Sequence, residues 1–405
     1  MNDDAAAPPA PPAPEGRSLR GFWAAHRAKL WPLVIALLGT LVGSIGTYFA
    51  LPPKAVDVLV DLVDSFQAPA GWHNDPEEVE RVARGMPTQQ FAQTPAGRAA
   101  DGTLPKSVYL WKLEEKLTGS PTPLFDQNPT GSCVAHGTNR AIERTLAAEI
   151  AARNGGREEF THFAEEVTYA GSRVEMNGGR VPFRGDGSLN AWASKFVTDP
   201  RYGMVPKAVH GRYDLREYDP ARCRAWGATG VPDDLEPVAR KFPVRDAARI
   251  RSWAEGKRAL ANGNSIAVAS GQGFTAKRDA RGVCEPRGSW QHSMCVDGYH
   301  VDDDGREYGH VENSWSNLPD RSGRRTGTPY HSGPTGWGNP TTAGFWARAE
   351  VLDRMFREGD TWAFSGTVGF PAKKLDWFVR AVPDAHAAPR AGARFARGEL
   401  FALAW

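Results

Sequence analysis

A turn that runs straight into a helix fixes where the chemistry of this chain can lie. Pro129-Thr130-Gly131-Ser132 are turn formers, and Cys133 follows them directly. From there Val134, Ile142, Leu146 and Ile150 recur at helical spacing, until Gly155-Gly156. Cys133 is therefore expected at a helix N-terminus. The free N–H groups and the helix dipole favour an anion there, so a lowered thiol pKa is expected. The ordinary alternative is an inert, buried structural cysteine. Gln127 lies six residues upstream. An amide looping back from there would join the Cys133 N–H as a donor pair for a tetrahedral oxyanion.

A nucleophilic thiol needs a base, and the base needs a partner that fixes its tautomer. Two extended runs supply both. The first contains Gln291-His292-Ser293-Met294, the second ends at Glu312-Asn313-Ser314-Trp315, and Asp302-Asp303-Asp304-Gly305 between them reads as a hairpin turn. A loop over 302–305 pairs residue 301 with 306 and Met294 with Asn313. His292 then falls within about two residues of Asn313. His136 is nearer to Cys133 in sequence, but it lies almost one helical turn on, directed away from the N-terminal mouth.

Other chemistries find little support. The net charge is +2, and no Lys/Arg run forms a basic patch, so no nucleic-acid partner is expected. The four cysteines, at 133, 223, 284 and 295, are too few for a disulfide framework, and a Cys223–Cys284 bond is left open. No Cys-x-x-Cys or His-Glu-x-x-His spacing occurs, so neither metal nor cofactor is expected.

The organisation follows from composition. Residues 1–30 begin in an Ala/Pro-rich, polar stretch and are expected to be a disordered cytoplasmic N-terminus. Trp31–Leu51 is an uncharged, apolar stretch of 21 residues, long enough to span a bilayer. Arg17, Arg20, Arg27 and Lys29 precede it, so a single-pass signal-anchor with the rest of the chain outside the cytoplasm is expected. Residues 52–103 read as a stem, 104–370 as the globular domain, and 371–405 as an Ala/Arg/Pro-rich C-terminal extension.

These residues resemble the papain-like cysteine peptidase family. Gln127-x5-Cys133, with Gly131-Ser132 before the cysteine, looks like its nucleophile motif. His292 with Gly298-Tyr299 resembles the histidine strand, and Asn313-Ser314-Trp315 with Gly336-Trp337-Gly338 resembles the asparagine region. The resemblance implies an α+β, two-lobed fold preceded by one transmembrane helix. A helical left lobe would carry Cys133, and an antiparallel, β-barrel-like right lobe would carry His292 and Asn313. It implies hydrolysis of peptide or protein substrates, with Cys133 as nucleophile, His292 as base and acid, Asn313 as orienter and Gln127 as oxyanion donor. Trp315 would shield the His292–Asn313 bond, and Gly187 and Ser188 would bind substrate backbone. Two alternatives stay open: an amidase or transpeptidase acting on cell-wall or partner peptide, and a catalytically silent binding module. The chain departs from the family at Thr130, where a disulfide cysteine is common, and at Val134, where an aromatic is usual. About twenty residues are inserted before Gly336. Residues 52–103 are expected to contain no inhibitory prosegment.

Overall fold

The computed structural model describes residues 71–127, 129–182, 185–316, 329–340, 344–373 and 375. Among these no helix is long and apolar enough to cross a membrane. The proposed span at 31–51 lies outside the described residues.

The first helix, α1 (Pro76–Arg84), starts where the Asp75 side chain accepts from the Glu78 N–H at 3.0 Å and Pro76 occupies the first turn. Val79, Val82 and Ala83 form its buried face. The Trp192 indole donates to Glu78 at 2.6 Å and ties the polar side down. The stem expected over 52–103 is thus corrected for its second half: Trp72, Val79, Val82, Met86 and Phe91 are core residues. The C-terminal boundary also moves, because Phe370 packs edge-on against Phe91 with ring centroids 5.5 Å apart, and Leu375 is buried.

After β1 (Ser107–Tyr109) and α2 (Trp111–Thr118) comes the long α3 (Cys133–Ala152). Helices α4 (Glu165–Arg173), α5 (Asn190–Thr198) and α6 (Pro220–Thr229) follow, with a small hairpin of β2 (Val209–His210) and β3 (Tyr213–Asp214) between the last two. Then come the short α7 (Glu236–Ala239), β4 (Asp246–Arg249), α8 (Trp253–Ala261), β5 (Ile266–Phe274), β6 (Pro286–Val301), β7 (Glu307–Glu312), β8 (Phe345–Arg348), α9 (Ala349–Arg357) and β9 (Thr361–Ser365). The sheet runs β4-β9-β5-β6-β7-β8, with β1 also paired to β6, and all of its pairings are antiparallel.

Strand periodicity divides the interior into two cores. Along β5, Ala267 and Ala269 face the core that holds Val134, Ile142, Val167 and Phe196, all in the helical region. Ile266 and Val268 face the other core, with Trp253, Val296, Tyr299, Leu352 and Phe356. The two cores, one among the helices and one on the other face of the sheet, fit the α+β class expected from the sequence.

Charge holds α3 to the sheet. Arg144 is fully buried, and its guanidinium meets Asp297 of β6 at 3.0 Å, Glu312 of β7 at 2.9 Å and Glu114 of α2. Arg140, one turn back, reaches the second oxygen of Glu312 at 2.9 Å. These acceptors hold the Arg144 guanidinium well above its usual pKa despite burial. Removing one member leaves the others as uncompensated buried charges. Arg144→Ala is expected to cost about 3–5 kcal/mol in urea denaturation. Adding Glu312→Gln, which neutralises one orphaned carboxylate, should recover part of that loss.

Candidate active site

Cys133 opens α3, and Ser132 before it makes no capping side-chain bond. The helix lies close against β6: a methyl group on Gly137 would stand 3.1 Å from the Met294 carbonyl oxygen and 2.9 Å from Ser293 Oγ. That close approach brings the Ser293 backbone N–H near enough to favour the Cys133 thiolate. The preceding residue on the strand is His292.

The hairpin brings His292 to Asn313, though by a route the sequence reading missed. At its outer end Val301 pairs with Glu307 and Gly298 with His310, so the loop is one residue longer than expected. A bulge between Val296 and Gly298 takes up the extra residue, and Cys295 then pairs with Glu312. The expected register is therefore restored where it matters. His292 Nε2 lies 2.9 Å from Asn313 Oδ1, and the Trp315 ring stacks on the imidazole at 4.1 Å. His292 Nδ1, the nitrogen on the other side of the ring, is buried without a hydrogen-bond partner among the described residues.

Gln127 joins the two walls. Its backbone N–H donates to the Ser314 carbonyl at 3.0 Å, and its Oε1 accepts from Ser314 Oγ at 2.6 Å. Its Nε2 donates to the Thr130 carbonyl at 2.7 Å, inside the turn that leads to Cys133. One amide hydrogen is thus committed to that turn. His136 is held away from the thiol by its Nδ1 contact with the Ser132 carbonyl at 3.0 Å and by an edge-on contact with the Tyr218 ring.

A segment of the chain itself lies over the sulfur. The N–H groups of Gly71 and Trp72 donate to the Gln291 carbonyl at 3.0 and 3.1 Å. On the other side the Gly71 carbonyl accepts from the Ser188 N–H at 2.8 Å, and the His73 N–H donates to the Ser188 carbonyl at 3.1 Å. Gly71 is the residue that passes the thiol: a Cβ there would meet Cys133 Sγ at 2.7 Å and the Gly131 carbonyl oxygen at 2.5 Å. Gly187 is equally constrained, with φ of 109° and the Gly71 carbonyl 2.8 Å from any Cβ. The Trp72 indole is buried and donates at 2.8 Å to Asp360, whose carboxylate also accepts from Trp362 and from the first N–H groups of α5. Residues 71–73 thus cover the thiol from within the stretch where no inhibitory prosegment was expected. The spacing of Val79, Val82, Ala83 and Met86 after Asp75-Pro76 signals the helix α1 that follows this segment, not the segment itself.

Occlusion also reverses the electrostatics expected from the helix terminus. Burial pushes the Cys133 thiol up to about 12, outweighing the N–H groups of Ser293, Val134 and Cys133 that favour the anion. Burial pushes His292 down to about 4, against the opposing effect of Asn313. Cys133 and His292 are therefore neutral near pH 7 in this conformation. All four cysteines are free and buried, so the open Cys223–Cys284 pairing is not formed. Two polar residues went unrecognised in the sequence: Asp360 under Trp72, and His331, whose Nε2 lies 3.1 Å from Asn313 Nδ2. Neither sits in a recognisable motif.

No protein-family model matches the chain, and no curated protein matches it. Among solved structures it is similar to xylellain, a cysteine protease from Xylella fastidiosa, at 17% identity over 74% of this chain and 96% of that one, with a TM-score of 0.46. It is also similar to the recombinant stem bromelain precursor, at 16% identity over 74% of this chain and 78% of that one, TM-score 0.45. Digestive procathepsin L 3 of Tenebrio molitor larval midgut matches at 15% identity over 82% of this chain and 98% of that one, TM-score 0.41. These distant likenesses assign no role to any residue.

Buried neutral histidines make stability depend on pH. His292 is pushed down to about 4 and His331 to about 3, while in the unfolded chain a histidine titrates near its ordinary value of about 6.5. Their contribution is complete above pH ~6.5 and is lost as pH falls, because only the unfolded chain takes up the protons. In urea denaturation between pH ~6.5 and ~4, His331→Gln should reduce the slope of stability against pH by one proton, about 1.4 kcal/mol per unit.

Proposed function

We propose that this chain is a papain-like cysteine peptidase held in a latent state by its own residues 71–73. The observation that carries the reading is an extended backbone, hydrogen-bonded to Ser188 on one wall and Gln291 on the other, passing directly over Cys133. A groove that holds one peptide backbone across a thiol, beside a histidine oriented by an asparagine, is built to hold another.

Once the segment is displaced, water and substrate reach the site and the desolvation that raises the thiol pKa is relieved. Cys133 then passes its proton to His292 Nδ1, and the thiolate attacks the substrate carbonyl carbon. In this reading the Cys133 N–H and the second hydrogen of Gln127 Nε2 receive the oxyanion. His292 returns the proton to the leaving amine, and the C–N bond breaks. Water, deprotonated by His292, hydrolyses the thioester and restores the thiol. Asn313 keeps the imidazole in position, and Trp315 shields that bond from solvent. Membrane attachment through residues 31–51, with the domain outside the cytoplasm, belongs to the same reading and is supported by the length and apolarity of that stretch.

The test uses the full chain. Native protein, Gly71→Val and Trp72→Ala are treated with a peptidyl epoxide, and the adduct is mapped by mass spectrometry. Gly71→Val puts a side chain where the sulfur already stands, and Trp72→Ala removes the anchor on Asp360. The native chain should label slowly. Both variants should give a single adduct on Cys133 at least about tenfold faster, as the thiolate fraction rises. Folded variants that remain unlabelled would sink the reading.

A further inference from the structure

Asn313 is a weak guide for a histidine when it stands alone. Its amide is nearly symmetric in shape, and rotating it by half a turn exchanges an acceptor for a donor. With Nδ2 toward His292, the ring would have to carry its proton on Nδ1, the nitrogen needed as base. Something must hold the amide the right way round, and the hydrogen bonds behind Asn313 identify it.

His331 lies on the far side of Asn313 from His292. Its Nε2 is 3.1 Å from Asn313 Nδ2, and its Nδ1 is 3.2 Å from the Thr275 carbonyl oxygen and 3.4 Å from Cys284 Sγ. The Thr275 carbonyl is nearer and a stronger partner than the Cys284 thiol, a weak donor, and it only accepts, so Nδ1 carries the hydrogen. The ring is fully buried, and its pKa is pushed down to about 3 by burial and by the charge of Arg278. It is therefore neutral, and Nε2 presents a lone pair. That lone pair requires a donor, which fixes Nδ2 toward His331 and Oδ1 toward His292. Oδ1 in turn requires the hydrogen of His292 to sit on Nε2, leaving the Nδ1 lone pair free.

We propose that His331 is a positioning residue that sets the hydrogen-bond direction of the whole chain, from the Thr275 carbonyl through Asn313 to His292, and so selects the His292 tautomer able to deprotonate Cys133. The inference rests on the peptidase reading for its purpose, although not for its geometry. His331 is itself held firmly. The Tyr330 N–H donates to the Trp315 carbonyl at 2.9 Å, the Ser332 N–H donates to the Ala276 carbonyl at 2.8 Å, and the Phe345 ring packs on the imidazole at 4.2 Å.

The direct test needs no activity. Side-chain nitrogen–proton correlation spectra of the native, full chain with labelled histidines should show His292 protonated on Nε2 and His331 on Nδ1. His331→Leu removes the acceptor and should mix the two His292 tautomers, whereas His331→Gln supplies an amide oxygen in its place and should keep the native one. In the Trp72→Ala background, with a fluorogenic peptidyl amide, His331→Leu should lower kcat by about tenfold or more with KM within about twofold, and His331→Gln should recover most of it. His292 protonated on Nδ1 in the native chain would overturn the proposal. So would a folded His331→Leu variant with native tautomers and full kcat. Native tautomers as expected, with no cleavage by the Trp72→Ala protein, would instead uphold the hydrogen-bond chain and count against the peptidase reading.

Discussion

The geometry of the site depends on the buried ion cluster between α3 and the sheet. Cys133 begins the helix, while His292 and Asn313 belong to β6 and the end of β7. Nothing covalent sets the distance between them. Arg140 and Arg144 do so by gripping Glu312 from one side of the lobe boundary, with Asp297 and Glu114 completing the charge balance. Glu312 is the neighbour of Asn313, so the clamp acts one residue from the His292–Asn313 bond. A buried ion network is weak as a source of net stability, but it permits only one docking of the helix on the strand. An apolar contact would tolerate sliding that this one does not.

Within that frame the site is at rest. The thiol, pushed up to about 12, and the imidazole, pushed down to about 4, are both neutral, as expected for two ionisable groups shut away from water. The groups that would stabilise the thiolate are already in place, including the N–H of Ser293 and those of the first helical turn. What they lack is solvent. The bonds made by Gly71, Trp72 and His73 to both walls keep it out.

Much of this was legible in the sequence, and the failures have physical causes. Cys133 could be placed because turn formers and helical periodicity meet at one residue. His292 and Asn313 could be paired because a hairpin brings its arms together, and a bulge at Asp297 compensated for a turn misjudged by one residue. The helix-terminus expectation for the thiol failed because burial is a long-range property that local sequence does not report. Residues 71–103 were read as a stem since their Pro, Gly and Gln content hid the short apolar stripe of α1. His331 and Asp360 act through partners far away in sequence, at Asn313, Thr275 and Trp72, and no spacing rule reaches across such separations.

The segment between Trp315 and Tyr330 is pinned at its base, since the Tyr330 N–H donates to the Trp315 carbonyl at 2.9 Å and Ser332 then joins the strand-like run beside Lys277. Its two ends are therefore neighbours however much chain lies between them. Doubling the length of chain between two fixed ends costs only about 0.6 kcal/mol in closure entropy. A foreign sequence placed there, such as an affinity tag or a fluorescent reporter, would enter between two ends that the Tyr330–Trp315 bond already holds together.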